Sequence, residues 1–217
     1  MVGVPQSFRK TDPSIVASYD FTDVLSGKAY EILYAGKTIS GATGFLRSFA
    51  FNSPNIAECA WSRFFNETGA SWVKKLDLDF DIKSGKNVTT DGEAIITGGM
   101  GFYQTGAVVT YKTFVEANII KWDGTSETFL ASGASTLIEG VTPNDIRHER
   151  IWAINVDIPK TTFKKDESIR LNCKVFATSG SSVNQQAFVH DPANKTMSGA
   201  HMDESQLILY MPFKIQT

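Results

Sequence analysis

The chain has 217 residues, and its 21 lysines and arginines face 23 aspartates and glutamates, for a formal charge of -2. With no large block of either sign, it is not expected to bind nucleic acid or a membrane surface, and its partners are expected to be proteins or neutral ligands. A single domain of this size can bury roughly 70% of the surface of its unfolded chain without staples, and no window approaches the ~18 apolar residues of a membrane-spanning helix.

Residues 1–18 read as an N-terminal arm, because Pro5 and Pro13 break regular structure and Thr11-Asp12-Pro13-Ser14 is turn chemistry. The start lacks the basic residues and apolar stretch of a cleaved signal, so secretion by that route is not expected. Residues 19–217 are expected to form a single β-sandwich domain. Its first stretch, 19–27, suits one helical turn with Asp20 or Thr22 as cap and Gly27 as stop. A strand follows over 28–35, with Tyr30, Ile32 and Tyr34 on one face and Glu31 on the other. Between 36 and 71 the spacing fits neither template, and a short strand followed by a loop or short helix is expected.

Order returns at 72–83, where Leu76, Leu78, Phe80 and Ile82 alternate with Lys75, Asp77, Asp79 and Asp81. Turns are expected at 84–87 and again at 90–93, the cluster Gly98-Gly99-Met100-Gly101 reads as an interruption, and another strand starts near Ala107. Residues 114–122, the pair Asp123-Gly124 and residues 125–131 carry the clearest hairpin signal, since Asp-Gly supplies the positive φ that a tight turn needs.

The cleanest two-residue period lies further on. Trp152, Ile154, Val156 and Ile158 alternate with Ala153, Asn155 and Asp157; a loop over 159–167 is expected; then Ile169, Leu171, Cys173 and Val175 alternate with Arg170, Asn172 and Lys174. Each apolar set makes one wall of a core and each polar set faces water. A tip at 178–182, a short strand at 185–190, a polar loop at 191–203 and a final strand that ends or bulges near Pro212 complete the chain. Nine or ten strands with turn residues between them predict an all-β fold, an antiparallel two-sheet sandwich wound as a jelly roll.

Candidate sites are few. Asp77, Asp79 and Asp81 have the spacing that opens a calcium loop, but Ile82 stands where that loop needs glycine and Val88 where it needs an acid, so a solvated strand face is expected. His148, His190 and His201 lack metal-ligand spacing and read as exposed or capping loop residues. Cys59 and Cys173 are too far apart in sequence to make a framework, and Cys173 falls on an inward strand position. The glycine cluster lacks the Lys-Ser/Thr of a phosphate loop. Trp61, Trp72 and Trp122 could stack on a sugar ring, whereas Trp152 belongs to an inward series. Nothing arranges a nucleophile, base and orienter, so no catalytic, cofactor-binding or metal-binding residue is expected, and no enzyme.

Ser18-Tyr19-Asp20-Phe21-Thr22-Asp23, the run Phe163-Lys164-Lys165-Asp166-Glu167-Ser168-Ile169-Arg170-Leu171, and His190-Asp191-Pro192 leading to Leu209-Tyr210-Met211-Pro212-Phe213 together give a texture that resembles jelly-roll structural proteins of tailed viruses of bacteria and archaea. The resemblance implies a virion component, such as a capsid decoration, turret or tail-associated protein, that assembles with itself as a homo-oligomer and with other virion proteins. It carries over no functional residue. The alternative is a carbohydrate-binding β-sandwich module that takes glycans, supported by the aromatics and the long loops.

Overall fold

The computed structural model describes residues 28–37, 44–48, 60–65, 69–103, 109–142, 147–179, 185–192 and 206–214. The expected arm, the helical turn at 19–27, the tip beyond Ser179 and the stretch 193–203 of the polar loop lie outside the described residues. Among those described, every regular element is a strand. In chain order these are β1 (Lys28–Lys37), β2 (Gly44–Arg47), β3 (Ala60–Phe65), β4 (Gly69–Lys83), β5 (Val88–Tyr103), β6 (Val109–Trp122), β7 (Glu127–Ala134), β8 (Ile138–Thr142), β9 (Arg147–Phe163), β10 (Ser168–Ser179), β11 (Gln185–His190) and β12 (Leu207–Lys214). The all-β class expected from the sequence is therefore found.

One hydrogen-bonded path runs β3-β11-β5-β12-β1-β2-β4-β10-β6-β7, with β8 added on β6 and β9 on β5. All ladders are antiparallel except that of β2 with β4. The path folds back so that its two arms share one buried face. Phe80 of β4 meets His190 of β11 at 5.4 Å, and Phe102 of β5 stacks on Tyr111 of β6 at 3.9 Å. Thr113 of β6 donates a 2.6 Å hydrogen bond to the Gln186 side chain of β11. Such bonds remove the penalty of burying a hydroxyl and an amide between the layers.

Alternation fills that interior. β9 buries Trp152, Ile154, Val156 and Ile158 and turns Ile151, Ala153, Asn155 and Asp157 outward; β10 buries Ile169, Leu171, Cys173 and Val175. Each such aliphatic side chain contributes about 1.5–3 kcal/mol by leaving water. In β1 the inward set is Ala29, Glu31, Leu33 and Ala35, so the carboxylate that opposes Tyr30, Ile32 and Tyr34 is fully buried.

Four expectations are corrected. The glycines at 98–101 do not interrupt β5; a Cβ at Gly98 would lie 2.6 Å from the Trp152 ring, so the strand passes close under that indole and only a bare backbone fits. The turn expected at 90–93 is a bulge: the β5–β9 register shifts between Thr90 and Gly92, where Gly92 has φ 120. Pro159 falls within that register shift, a place where a residue without an N–H is tolerated, so β9 continues past it to Phe163, and the expected 159–167 loop shrinks to 164–167. Between 36 and 71 the expected short strand is β2, but where a loop or short helix was expected to follow, β3 is a second strand.

The expected hairpin joins β6 to β7 through 123–126, with Gly124 at φ 98. Backbone N–H groups of Thr125 and Ser126 donate to the Asp123 carboxylate at 2.8 and 2.6 Å, and these bonds hold its pKa below the ordinary range. At the β9–β10 turn, Asp166 adopts φ 71. There Glu167 accepts the Lys164 N–H at 2.6 Å and pairs with Lys121 at 2.8 Å, and the Lys121 bond first, then the Lys164 bond, hold its carboxyl below the usual 4.5.

A depressed folded pKa means that this stabilisation is complete above the unfolded value and is lost as pH falls through the folded one. Thermal melts should therefore show Glu167→Gln less stable than the native chain at pH 7, with the difference shrinking once pH drops below 4.5. A gap that stays constant from pH 7 to pH 3 would show that the Glu167 charge does not hold the turn.

Candidate functional site

Four neighbouring strands, β4, β10, β6 and β7, present their polar alternates on one outer face. Register fixes the rows: Asp81 opposes Arg170, which opposes Ile120, which opposes Phe129; Asp79 opposes Asn172, which opposes Asn118; Asp77 opposes Lys174, which opposes Glu116. Opposed residues stand about 4.5–5.5 Å apart at Cβ, so the side chains of a row must interact.

Arg170 anchors the first row. Its Nε and Nη2 donate to the two Asp81 oxygens at 2.7 and 2.8 Å, Nη1 donates to Glu127, and the guanidinium lies 4.7 Å from the Trp122 ring centroid. The Asp81 hydrogen bonds push the Arg170 pKa above its ordinary value, so this forked cation stays charged. The middle row is an amide relay. Asn118 Nδ2 donates to Asn172 Oδ1 at 3.0 Å and to Glu116 Oε1 at 3.1 Å, while Asn172 Nδ2 donates to Asp77 and Asp79, each at 2.8 Å. Both amides are more than nine-tenths buried, at 5% and 7% exposure. In the third row Lys174 donates to Glu116 at 3.3 Å, and Lys74 pairs with Asp77 at 2.6 Å. Burial alone would raise the Asp77 pKa, but hydrogen bonds from Lys74 and Asn172 outweigh it and hold the carboxyl below its usual value.

Between these rows lies a groove of about 610 Å³, floored by Asp79, Asn172 and Asn118 and flanked by Phe129, which is 60% exposed. Further along the same face Trp72 packs edge-on to Phe114 at 5.0 Å, and Phe114 stacks on Phe176 at 4.9 Å. The arrangement offers fixed acceptors, donors and ring faces. Among the described residues no group of three His, Cys, Asp or Glu could hold a metal ion. Cys173 is buried and its thiol is pushed up by burial, which makes it inert as a nucleophile.

The expected solvated face at Asp77, Asp79 and Asp81 is present, and its cross-strand partners Arg170, Asn172 and Lys174 are what the sequence reading missed. His190 is corrected. It does not cap an exposed loop; as the last inward residue of β11 it is fully buried against Phe80 and Phe188. The side chains of His148 and Trp61, and the whole of His201 and Cys59, lie outside the described residues. Trp122 and Trp72 sit on this face, while Trp152 is in the core.

No protein-family model matches the chain, and no curated protein matches it in sequence. Solved structures do. The chain is similar to an aminopeptidase from a marine sediment Thaumarchaeota archaeon, at 10% identity and TM-score 0.50, over 87% of this chain and 37% of that one. It is also similar to a CocE/NonD family hydrolase from Staphylococcus aureus, at 12% identity and TM-score 0.49, over 86% and 36% of the two chains. A structure of infectious bursal disease virus, Gx strain, matches at 8% identity and TM-score 0.28, over 74% and 36%. The chain thus spans little more than a third of the structures that it matches.

At these identities the likeness is one of fold. It nevertheless corrects the expectation that the chain is no enzyme, because the same fold occurs within an aminopeptidase. That expectation rested on a missing nucleophile, base and orienter. A stretch corresponding to 37% of a longer chain need not contain the centre that the whole protein uses. Among the described residues no helix is long and apolar enough to cross a membrane.

Proposed function

We propose that this chain is a structural component of a virion, a jelly-roll domain over 19–217 with an arm at 1–18, which works by packing against copies of itself and against other virion proteins. The observation that supports this reading is the edge of the fold. β9 runs for 17 residues and, among the described residues, is hydrogen-bonded on one side only, to β5. Its outer face carries Ile151 at 67% exposure, and Leu137, just before β8, is 46% exposed. A long strand edge with an aliphatic side chain in water is a template for another chain.

The arm has the composition to fill such a place. Val2, Val4, Phe8, Ile15 and Val16 are too apolar for a solvated tail, while Pro5 and Pro13 keep it from being a central strand. Laid along a neighbour, those side chains would be buried at roughly 25 cal/mol per Å².

Light scattering on the full chain and on a chain starting at Tyr19 tests the reading. A closed homo-oligomer that weakens or dissociates on truncation is expected. A monomeric full-length protein at micromolar concentration defeats the assembly reading, and an oligomer unchanged by truncation removes the arm from the contact.

A further inference from the structure

We infer that the groove on the outer face of β4, β10, β6 and β7 is a binding site for a neutral carbohydrate chain. The chemistry of its lining selects the ligand. Carboxylates at Asp77, Asp79 and Asp81 turn away phosphate, nucleic acid and acidic sugars. A basic peptide is disfavoured for the opposite reason. Lys74 already occupies Asp77, Arg170 occupies Asp81 and Glu127, and Lys174 occupies Glu116, so an incoming cation would have to displace an ion pair to gain one.

A second copy of the chain fits poorly as well, since the core of a homodimer interface is mostly apolar and this groove is floored by two buried amides. Sugar hydroxyls meet none of these objections. They donate to carboxylate and amide oxygens and accept from Lys174 in the same step, and a buried amide relay holds those groups in place before the ligand arrives.

The rings supply the other half of the match. Phe129 stands beside the groove at 60% exposure, an aromatic surface for the C–H side of a pyranose. On β6, Phe114 lies six positions from Ile120, the residue opposite Phe129, and six positions of extended strand span about 20 Å. The cluster of Trp72, Phe114 and Phe176 at that distance is a second platform, so the face suits a chain of several sugar units and not a single one.

This inference is independent of the assembly reading, because the groove can bind a glycan in a monomer or in an oligomer. Native affinity electrophoresis of the full chain through gels containing xylan, β-glucan, galactomannan or dextran tests it, with light scattering on the same samples. Retardation by at least one polysaccharide is expected. Phe129→Ala and Asp79→Asn should each weaken it by about tenfold, roughly the loss of one stacking or hydrogen-bonding contact, with melting temperature and particle mass unchanged. Ile151→Ser, outside the groove, should leave it unaltered. The inference is overturned if no gel retards the protein, or if both groove variants are retarded as strongly as the native chain. It is equally overturned if Phe129→Ala lowers the particle mass, since the face would then be a subunit contact.

Discussion

Val156→Asp is expected to cost about 3–5 kcal/mol of stability, while Asn155→Asp, one residue away, should change it by about half a kcal/mol or less. Val156 is 4% exposed, opposes Ala94 across the β5–β9 ladder and packs on β7, where a Cβ at Gly133 would fall 2.8 Å from its Cγ1. A carboxylate buried there beside Ala94 and Gly133 would either ionise without solvent or take up a proton at a cost of similar size. Asn155 points to water and loses nothing on gaining a charge. Urea unfolding of the two variants measures the difference directly. Matching midpoints would mean that β9 has slipped by one residue, which would turn its whole inward set outward.

β9 and β10 were legible because a strand with one buried face writes its period into the sequence, and Trp152 to Ile158 and Ile169 to Val175 do so without interruption. β5 was not. Gly98, Gly99 and Gly101 carry no period and look like punctuation, and the reason for them, a tryptophan more than 50 positions later that presses on the strand, is a tertiary fact. His190 was misjudged for a related reason. Next to Asp191 and Pro192 it reads as a loop cap, and only the pairing of β11 with β3 and β5 turns it inward onto Phe80.

The groove was half visible. β4 and β10 announced a polar face and β6 and β7 only a hairpin, and Asp79 and Asn172 are 93 positions apart, Asn172 and Asn118 54. Two polar stripes that seem merely wet become part of a site once register lays them beside β6 and β7, and register across such separations is set by the packing of the opposite face. Alternation in one sequence shows which residues share a face; it does not show which faces share a sheet.

The backbone behind the groove leads to the second expected result, that Gly44→Ala costs about 3 kcal/mol or more whereas Gly85→Ala stays within about half a kcal/mol. Gly44 opens β2 and opposes Phe80 in the parallel β2–β4 ladder. A Cβ there would collide with the main-chain carbonyl oxygen of Asp79 and approach the Phe80 ring to 2.6 Å, so the strain falls on backbone that cannot rotate away. Around Gly85, in the turn after β4, nothing lies within 4 Å of the added carbon. Because Asp79 lines the groove on the other side of the same strand, relief of the Gly44 clash must move β4 and with it one of the groove's acceptors. Gly44→Ala should therefore lower the melting temperature and weaken polysaccharide retardation together, the second even at temperatures where the variant is fully folded. Equal melting of the two alanine variants would show that β2 does not lie against β4 at this residue, and the parallel ladder that links the two arms of the sheet would have to be redrawn.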